Sequence, residues 1–278
     1  MQALPRSIWK GAISFGLVHI PVEMYPATRD NALDLDLVDR RDFAPIGFKR
    51  YNKSTGDDVD KEDIVKAYQV AHGDYVLLSD EELRSANPAA TQTIDILAFV
   101  DAAEVSMLYF DTPYYLAPDK GGAKVYALLR ETLRRAGKLG VAKVVIRIKQ
   151  HLAALVCEGD AIVLMTMRYA DEIREAGELK IPAEATAISD KEVAMALSLV
   201  DSMNAPWQPE AYRDTYREDV LALVEKKVAA QQTHAVLTPE AAPTPETGNV
   251  VDLVALLKQS LGERTDTKPK PPPRKRKA

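Results

Sequence analysis

The run from Ser7 to Tyr25 constrains the fold of this chain more than any other stretch. It reads SIWKGAISFGLVHIPVEMY, so apolar side chains dominate, Gly11 and Gly16 interrupt them, and a proline stands at position 21. An apolar run that a tryptophan anchors, glycines interrupt and a proline stops predicts β-structure. It contains no pair of nucleophile and base and no metal-ligand spacing. The run therefore indicates architecture rather than chemistry.

Most of the first half of the chain predicts strands. Leucines at 33, 35 and 37 alternate with aspartates, which is the two-residue period of a half-buried strand. Further strands are expected at 45–51, before the turn-forming Ser-Thr-Gly-Asp sequence at 54–57, and at 93–100 and 108–116. Pro113 indicates an edge or a bulge in the last of these strands.

The apolar period changes to that of a helix between Ala123 and Ala136. One face of this predicted helix carries Val125, Leu128, Leu129 and Leu133. Gly137 supplies the C-terminal stop. Strands follow at 143–148, 152–157 and 161–167, and a Glu-Gly-Asp turn at 158–160 joins the last two. The predicted fold class is therefore α+β with a mainly β core.

The C-terminal part predicts helices and then an unfolded tail. Ser189 and Glu192 form a capping box, and a second helix is expected at 209–230. The residues from 238 to 248 are rich in Pro, Thr, Glu and Ala, and the last residues are rich in Lys, Arg and Pro, which cannot bury a core. The predicted parts are a core at 1–188, a helical arm at 189–230, a linker at 231–248, and an amphipathic segment with a basic tail at 249–278.

Charge and cysteine content limit the cellular compartments and the binding partners that suit the chain. Cys157 is the single cysteine, which excludes an internal disulfide framework and fits a reducing compartment. No apolar run is long enough to span a membrane, and Pro5 interrupts any signal-peptide pattern. We expect a cytoplasmic, nucleoid-associated protein with no membrane partner. The net charge of −5 argues against nucleic acid at first, but surface potential depends on local charge.

Local charge is strongly basic between Arg130 and Lys149. One acid, Glu131, stands there among the cations Arg130, Arg134, Arg135, Lys138, Lys143, Arg147 and Lys149. In a strand from 143 to 149 the odd-numbered positions share one face, so Lys143, Arg147 and Lys149 are expected on the same side. A solvated strand face is the alternative, but such a face normally includes acids. Phosphate binding is therefore favoured.

Two other basic clusters have different contexts. Lys49, Arg50 and Lys53 lie at a predicted turn, where phosphate binding and ordinary solvation explain the charges equally well. The tail has six basic residues and no acid between 268 and 277, ending with Arg274, Lys275, Arg276 and Lys277. Recognition-helix, zinc-module and RNA-stacking signatures are missing from the sequence. These cations therefore predict contact with a DNA backbone and little sequence specificity.

Sequence signatures of catalysis are missing. The chain has no Walker loop, no G-x-S-x-G motif and no dinucleotide fingerprint, and its four histidines have no metal-ligand neighbours. The aspartates at 34, 36, 39 and 42 suit a cation site less well than a solvated strand face and turn, because the Asp/Asn-Gly loop pattern is absent. We predict no catalysis, no cofactor, no bound metal and no small-molecule substrate.

A resemblance to a known family extends along most of the chain. Besides the opening run it is carried, in order, by RYNK at 50–53, YFDTPYYL at 109–116, YALLRE at 126–131, HLAAL at 151–155 and RYADE at 168–172. Together these segments closely resemble the bacterial Ku proteins, which hold broken DNA ends for non-homologous end joining. His19, where the family pattern leads us to expect asparagine, and the 42–48 loop depart from that pattern.

The resemblance implies a homodimer in which two β-barrel cores and interlaced arms form a ring around duplex DNA. By this analogy residues of roughly 30–85 form the bridge over the DNA. It also implies recruitment of an ATP-dependent ligase, ligase D, through the C-terminal region, here the amphipathic segment with Leu253, Leu256 and Leu257 and the basic tail. The alternative is a dimeric scaffold whose DNA contact comes from the basic tail alone.

Overall fold

The computed structural model describes residues 6–86, 92–179, 181 and 188–233. Contacts within the chain divide it into two units, with the division between Glu175 and Ala176. Nowhere in these residues is there a helix with the length and apolar character needed to cross a membrane. The first unit contains all nine described strands, and the second contains two of the four described α-helices.

A closed barrel of seven strands forms the core of the first unit. The order around it is β1-β2-β6-β9-β8-β7-β5, in which β1 and β5 pair in parallel and every other pair is antiparallel. The nine strands of the unit are β1 Trp9–Phe15, β2 Val18–Pro26, β3 Lys66–Ala71, β4 Asp74–Leu78, β5 Thr93–Asp101, β6 Phe110–Pro118, β7 Lys138–Ile146, β8 Lys149–Glu158 and β9 Ala161–Met167. The barrel interior is apolar, with fully buried Ile13, Ile20, Met24, Ile94, Leu116, Leu155, Ile162 and Leu164.

The opening run of the sequence folds into the β1–β2 hairpin, and its glycines explain how. Gly16 has φ 59° in the two-residue turn, a conformation that glycine adopts without strain. A Cβ atom on Gly11 would lie 2.0 Å from the Gln92 carbonyl oxygen, at the point where β1 meets β5. Only glycine therefore fits at the parallel junction that closes the barrel.

The proline of the opening run lies inside β2, so the prediction that it stops the strand is wrong. Pro21 is opposite Ala12 of β1, and its carbonyl oxygen accepts a hydrogen bond of 2.9 Å from the Asp119 backbone N–H. The ladder between β2 and β6 begins one residue later, at Val22. Proline is tolerated because its position calls for no backbone donor.

Four predicted barrel strands are confirmed with small shifts at their ends, at 93–100, 108–116, 152–157 and 161–167. The bulge indicated by Pro113 is also present, because the register between β6 and β9 shifts between Phe110 and Pro113. Arg168 then ties the end of β9 to the start of β6, donating to the carbonyl oxygens of Leu108 at 3.1 Å and Phe110 at 2.5 Å. The sequence segments around Pro113 and Arg168 therefore have a structural role, which is to hold β6 and β9 together.

Residues between β2 and β5 form a long excursion from the barrel, here called the 27–86 excursion. It contains the β3–β4 hairpin and the short helix α1, Asp80–Ser85, and none of its described side chains is buried. The strands predicted at 33–37 and 45–51 are wrong, because these segments form only the isolated bridges Val38–Pro45 and Tyr51–Asp58. The predicted turn at 54–57 is present, with Gly56 at φ 80°.

Helix α2, Ala123–Ala136, is confirmed with its predicted bounds and its Gly137 stop. Its buried face carries Tyr126, Leu129 and Leu133, whereas the predicted core residue Leu128 is exposed. The Tyr126 hydroxyl donates to the Leu116 carbonyl oxygen at 2.6 Å and accepts from the Ile162 backbone N–H at 2.7 Å. This hydroxyl thus bridges β6 and β9 where their ladder ends, and burial raises its pKa.

Removing this hydroxyl should destabilise the barrel. Tyr126→Phe keeps the ring but leaves a buried N–H and a buried carbonyl without their partner, which costs about 1–3 kcal/mol of unfolding free energy. Urea unfolding followed by circular dichroism measures the loss. Tyr115→Phe is the matched control, because Tyr115, on the neighbouring strand β6, is exposed. Equal midpoints for the two variants would show that the Tyr126 hydroxyl does not stabilise the fold.

The second unit contains helices α3, Asp190–Ser202, and α4, Thr215–Ala229. The predicted capping box is confirmed, since the Ser189 hydroxyl accepts from the Glu192 N–H and the Glu192 carboxylate accepts from the Ser189 N–H. The helix predicted at 209–230 is present over a shorter range, as α4. A 3-10 turn at Pro209–Ala211 comes first, and Asp214 then caps α4 by accepting from the Arg217 N–H.

Candidate nucleic-acid interface

The strand directions give the barrel two distinct ends. At the first, here called the lower mouth, β1 and β5 begin, β2 ends, and Arg147 and Ile148 join β7 to β8. At the opposite end, here called the upper end, α2 lies near the Glu158–Ala161 turn between β8 and β9. The 27–86 excursion leaves the barrel from β2 and returns to β5. It therefore arises at the lower mouth.

Two predicted cations at the upper end hold α2 against the barrel. Arg130 donates to the Asp160 carbonyl oxygen at 2.7 Å, and Arg134 donates to the Gly159 carbonyl oxygen at 2.5 Å. The side chain of Arg130 is three-quarters buried. Both guanidinium groups therefore donate hydrogen bonds to the β8–β9 turn, and these contacts are structural.

The other two upper-end cations form ion pairs. Arg135 donates to the Glu131 carboxylate at 2.7 Å, and Lys138 donates to Asp101 at 2.9 Å. The Arg135 guanidinium holds the pKa of Glu131 below its ordinary value. These exposed pairs reduce the positive potential that α2 presents to solvent.

The prediction that Lys143, Arg147 and Lys149 share one strand face is wrong. β7 ends at Ile146, Arg147 lies in the turn with φ 61°, and Lys149 begins β8. Lys143 is exposed on the outside of the barrel, between Asp95 of β5 and Leu152 of β8. Lys149 stands four positions before the inward-facing Ala153 on the same strand, so the two share a face and Lys149 lies on the inner side. The three cations are therefore split between two sides of the barrel wall.

Arg147 and Lys149 differ from the upper-end cations in having no partner. Neither makes an ion pair or a side-chain hydrogen bond within the residues that the structure describes. Both line a cleft of about 570 Å³ at the lower mouth. Unpaired cations beside a cleft are available to an anion, because no internal carboxylate has to be displaced.

The cluster of Lys49, Arg50 and Lys53 lies in the 27–86 excursion, beside the turn at 52–57. Lys49 donates to Asp58 at 2.7 Å, in a pair exposed on both sides. Arg50 lines a second cleft with Lys61 and Lys66. Among the described residues, Arg50 and Lys53 have no ion-pair partner. The cluster thus supplies two free cations from the segment that leaves the lower mouth.

The predicted contacts near the C-terminus lie outside the described residues. They are the basic residues Arg274, Lys275, Arg276 and Lys277, and the partner-binding residues Leu253, Leu256 and Leu257.

Sequence reasoning missed four residues at the lower mouth. Arg6 precedes β1 and Arg29 follows β2, so the topology brings both cations to this end of the barrel. Tyr114 and His151 line the cleft with Arg147 and Lys149. Burial, followed by the charge on Lys149, lowers the pKa of the His151 imidazole. The one available signal was spacing, because His151 stands two positions after Lys149 and thus on the same strand face.

Comparison with protein families identifies this fold. The family described as the Ku70/Ku80 beta-barrel domain matches residues 14–195, which include the end of β1, the other six barrel strands, the 27–86 excursion and the start of α3. The chain belongs to the Ku family. The barrel of this Ku therefore corresponds to the family's named domain, and the residues after 195 lie beyond the matched region.

Curated relatives are similar to this Ku over almost its whole length. Proteins named Non-homologous end joining protein Ku are 52% identical in Cupriavidus necator, 46% in Pseudomonas aeruginosa and 37% in Bacillus subtilis. These alignments cover 99%, 94% and 92% of this chain and 83%, 89% and 81% of the relatives. Among solved structures, the SPOC domain of human PHD-finger protein 3 aligns with 59% of this chain and 97% of that chain, at 11% identity. Its TM-score of 0.31 is too low to support a conclusion.

Proposed function

We propose that this Ku binds the ends of double-stranded DNA, as a homodimer and without reading sequence, in non-homologous end joining. The distribution of free cations carries the proposal. Arg147 and Lys149 are unpaired at the lower mouth, and the excursion that leaves this mouth brings Arg50 and Lys53, which are also unpaired within the described chain. Cations without a base-reading element favour contact with phosphates, which gives affinity without sequence specificity.

Exposed apolar side chains of the 27–86 excursion support a second copy of the chain as its covering partner. The exposed residues are Leu35, Leu37, Val38, Phe43, Ile46, Phe48, Tyr51, Ile64, Val65, Tyr68, Val70, Tyr75, Val76 and Leu77. A two-stranded hairpin such as β3–β4 is only marginally stable alone, and a soluble monomer rarely exposes so many large apolar groups. We therefore assign residues of roughly 30–85 to the bridge of a dimeric ring.

A closed ring explains why the protein would need a DNA end. Duplex enters a preformed ring by threading, so binding requires a free terminus and no particular sequence. Binding linear duplex but not a covalently closed circle is the experiment that tests this proposal.

The dimer should persist at nanomolar concentration without DNA. Interlaced excursions would bury more than the roughly 1,600 Å² of a standard interface, which favours an obligate assembly. Analytical ultracentrifugation of fluorescently labelled protein measures the equilibrium. A variant in which Tyr68, Val70 and Val76 are changed to Ser is the matched test, and it should shift the protein toward monomer. A stable wild-type monomer at micromolar concentration would contradict the dimer.

Binding alone accounts for this function. Among the residues described, no group of three or more His, Cys, Asp and Glu side chains is placed to hold a metal ion. We assign the protein a non-catalytic role, with no cofactor and no small-molecule substrate. Its partners are DNA ends, a second copy of itself and a ligase, and the proposed setting is the cytoplasm, in association with the nucleoid.

We assign ligase contact to the amphipathic segment at 249–261. Leu253, Leu256 and Leu257 recur at helical spacing, which suits an apolar face laid into a partner groove. The basic tail beyond Gly262 has a separate role, since its seven basic residues against two acids add salt-dependent affinity for DNA. The proposed linker at 231–248 separates both elements from the helical arm at 189–230 and the core at 1–188.

Truncation should separate these two roles. Ending the chain at Gly262 should lower DNA affinity at low salt and leave stimulation of ligase D intact. Ending it at Thr247 should in addition abolish stimulation, while the protein stays folded and dimeric. Ligation of linear plasmid by ligase D measures the effect, with the Gly262 truncation as the control for lost charge. Normal stimulation by the shorter protein would place the ligase contact on the core.

The alternative function is a dimeric scaffold that contacts DNA through its basic tail alone. It is favoured by the upper-end contacts, because Arg130, Arg134, Arg135 and Lys138 are all engaged within the chain. Under this alternative the Gly262 truncation would lose DNA binding altogether, and not merely affinity at low salt.

A further inference from the structure

The cleft at the lower mouth is lined by three isoleucines and four polar groups. Tyr114, Arg147, Lys149 and His151 line it together with isoleucines, and its volume is about 570 Å³. Tyr114 packs against the barrel core, and His151 is half-buried. The cleft is therefore the mouth of the barrel interior, where a hydrophobic core meets solvent through a polar rim.

None of these four polar groups has a partner in the described part of the chain. No ion pair or side-chain hydrogen bond involves the Tyr114 hydroxyl, the Arg147 guanidinium, the Lys149 ammonium or the His151 imidazole. Arg168, near the same mouth, behaves differently, because it donates to two carbonyl oxygens and to Asp111. Free donors concentrated in one cleft are suited to a ligand that supplies acceptors.

The backbone of the β7–β8 turn adds a second observation. Arg147 has φ 61°, in the left-handed region that glycine and asparagine favour in two-residue hairpin turns. An arginine there accepts a conformational cost that glycine would avoid. Residues in such strained backbone conformations cluster at binding sites, where the strain places the side chain for contact with a ligand.

The lining also indicates the chemistry of the ligand. It includes two permanent cations, a hydroxyl and an imidazole, and it includes no carboxylate. The cleft is too large for a lone ion, and its isoleucines suit the apolar surface of a sugar. An anion attached to a larger organic body fits this arrangement best.

We propose that this cleft binds a phosphate group of the DNA, with Arg147 and Lys149 pairing its charge and Tyr114 and His151 serving as additional hydrogen-bonding groups. The assignment rests on the proposed function and gives the DNA a defined contact point on the barrel. The phosphate has two possible sources, the terminal 5′-phosphate of an end and an internal phosphodiester of the duplex.

The test compares neutral substitutions on two duplexes that differ only in carrying a 5′-phosphate or a 5′-hydroxyl. Arg147→Gln and Lys149→Gln should each lower the slope of log affinity against log salt, and the double variant should lower it by about 0.9 per protomer in total, because both cations pair one phosphate. Tyr114→Phe should weaken binding about tenfold with the slope unchanged, because it removes a hydrogen bond to a charged group and no charge. Tyr115→Phe, on the exposed side of the same strand, should bind as wild type.

The two duplexes distinguish the sources of the phosphate. Wild-type preference for the 5′-phosphate that disappears in Arg147→Gln assigns the cleft to a terminal phosphate, and equal losses on both duplexes assign it to the backbone. Wild-type affinity and slope in both Arg147→Gln and Tyr114→Phe would overturn the proposal. If the wild-type protein binds a closed circle, end binding fails as a proposal. The salt slopes can then still be measured on that circle, so the cleft is tested separately.

Discussion

This Ku should bind linear duplex DNA with blunt or overhanging ends and should fail to bind the same sequence as a covalently closed circle. The expectation follows from the proposed ring. If the 27–86 excursions of two protomers close over the DNA, a circle has no entrance, and phosphate contacts at the lower mouth become unreachable. A protein that merely displayed cations on an open surface would bind both forms, because circle and linear duplex carry the same charge per length.

Gel-shift titrations at fixed salt measure this difference. The same plasmid, cut once or left closed, is the matched pair of substrates, and relaxed closed circles control for supercoiling. Blocking both ends after loading should trap the protein on linear DNA against competitor. Equal affinity for the two forms would rule out threading and favour the scaffold with a DNA-binding tail, which a Gly262 truncation would then test.

Individual strands of the barrel could be predicted from sequence where the burial of each residue follows from its position along its own strand. β5, β6, β8 and β9 follow local patterns closely, and α2 follows its period and its Gly137 stop. Tyr126 was missed as a core residue because its burial depends on the Leu116 and Ile162 backbone groups that its hydroxyl joins. Sequence period does not report such a contact between distant segments.

The failures within the 27–86 excursion have a different origin. The alternation at Leu33, Leu35 and Leu37 is a pattern of half-burial, yet Leu35 and Leu37 are exposed in the described chain. The sequence pattern predicts that one face is buried, yet nothing in the described part of the monomer covers it. This supports an apolar surface that another chain covers. In that interpretation the sequence period was informative, and the error lay in seeking the strand's partner within one protomer.

The basic run at 130–149 illustrates how topology divides a sequence cluster. Between Lys138 and Ile146 the chain crosses the barrel along β7, a distance of about 26 Å at strand rise. Arg134 and Arg147 therefore lie at opposite ends, although thirteen positions separate them in sequence. Sequence proximity could not reveal this division, since it depends on where a helix ends and a strand begins.

Charge reversal should weaken DNA binding at the lower mouth and leave it nearly unchanged at the upper end. Arg147→Glu with Lys149→Glu should weaken binding on the order of a hundredfold at moderate salt and lower the log–log salt slope by about 0.9 per protomer, because the phosphate that both cations pair is now repelled. The loss should be the same on unrelated sequences, since no base is read. Fluorescence anisotropy across a salt series measures both quantities.

The upper end provides a control of equal charge. Arg135→Glu with Lys138→Glu changes the net charge by the same amount, but these side chains already pair with Glu131 and Asp101, so the substitution should leave the salt slope close to that of wild type. Thermal unfolding checks that both double variants remain folded. If the upper-end variant loses affinity while the lower-mouth variant keeps it, DNA contacts the α2 side of the barrel. The cations at the lower mouth would then be free for another reason, and the phosphate assigned to their cleft would have to be withdrawn.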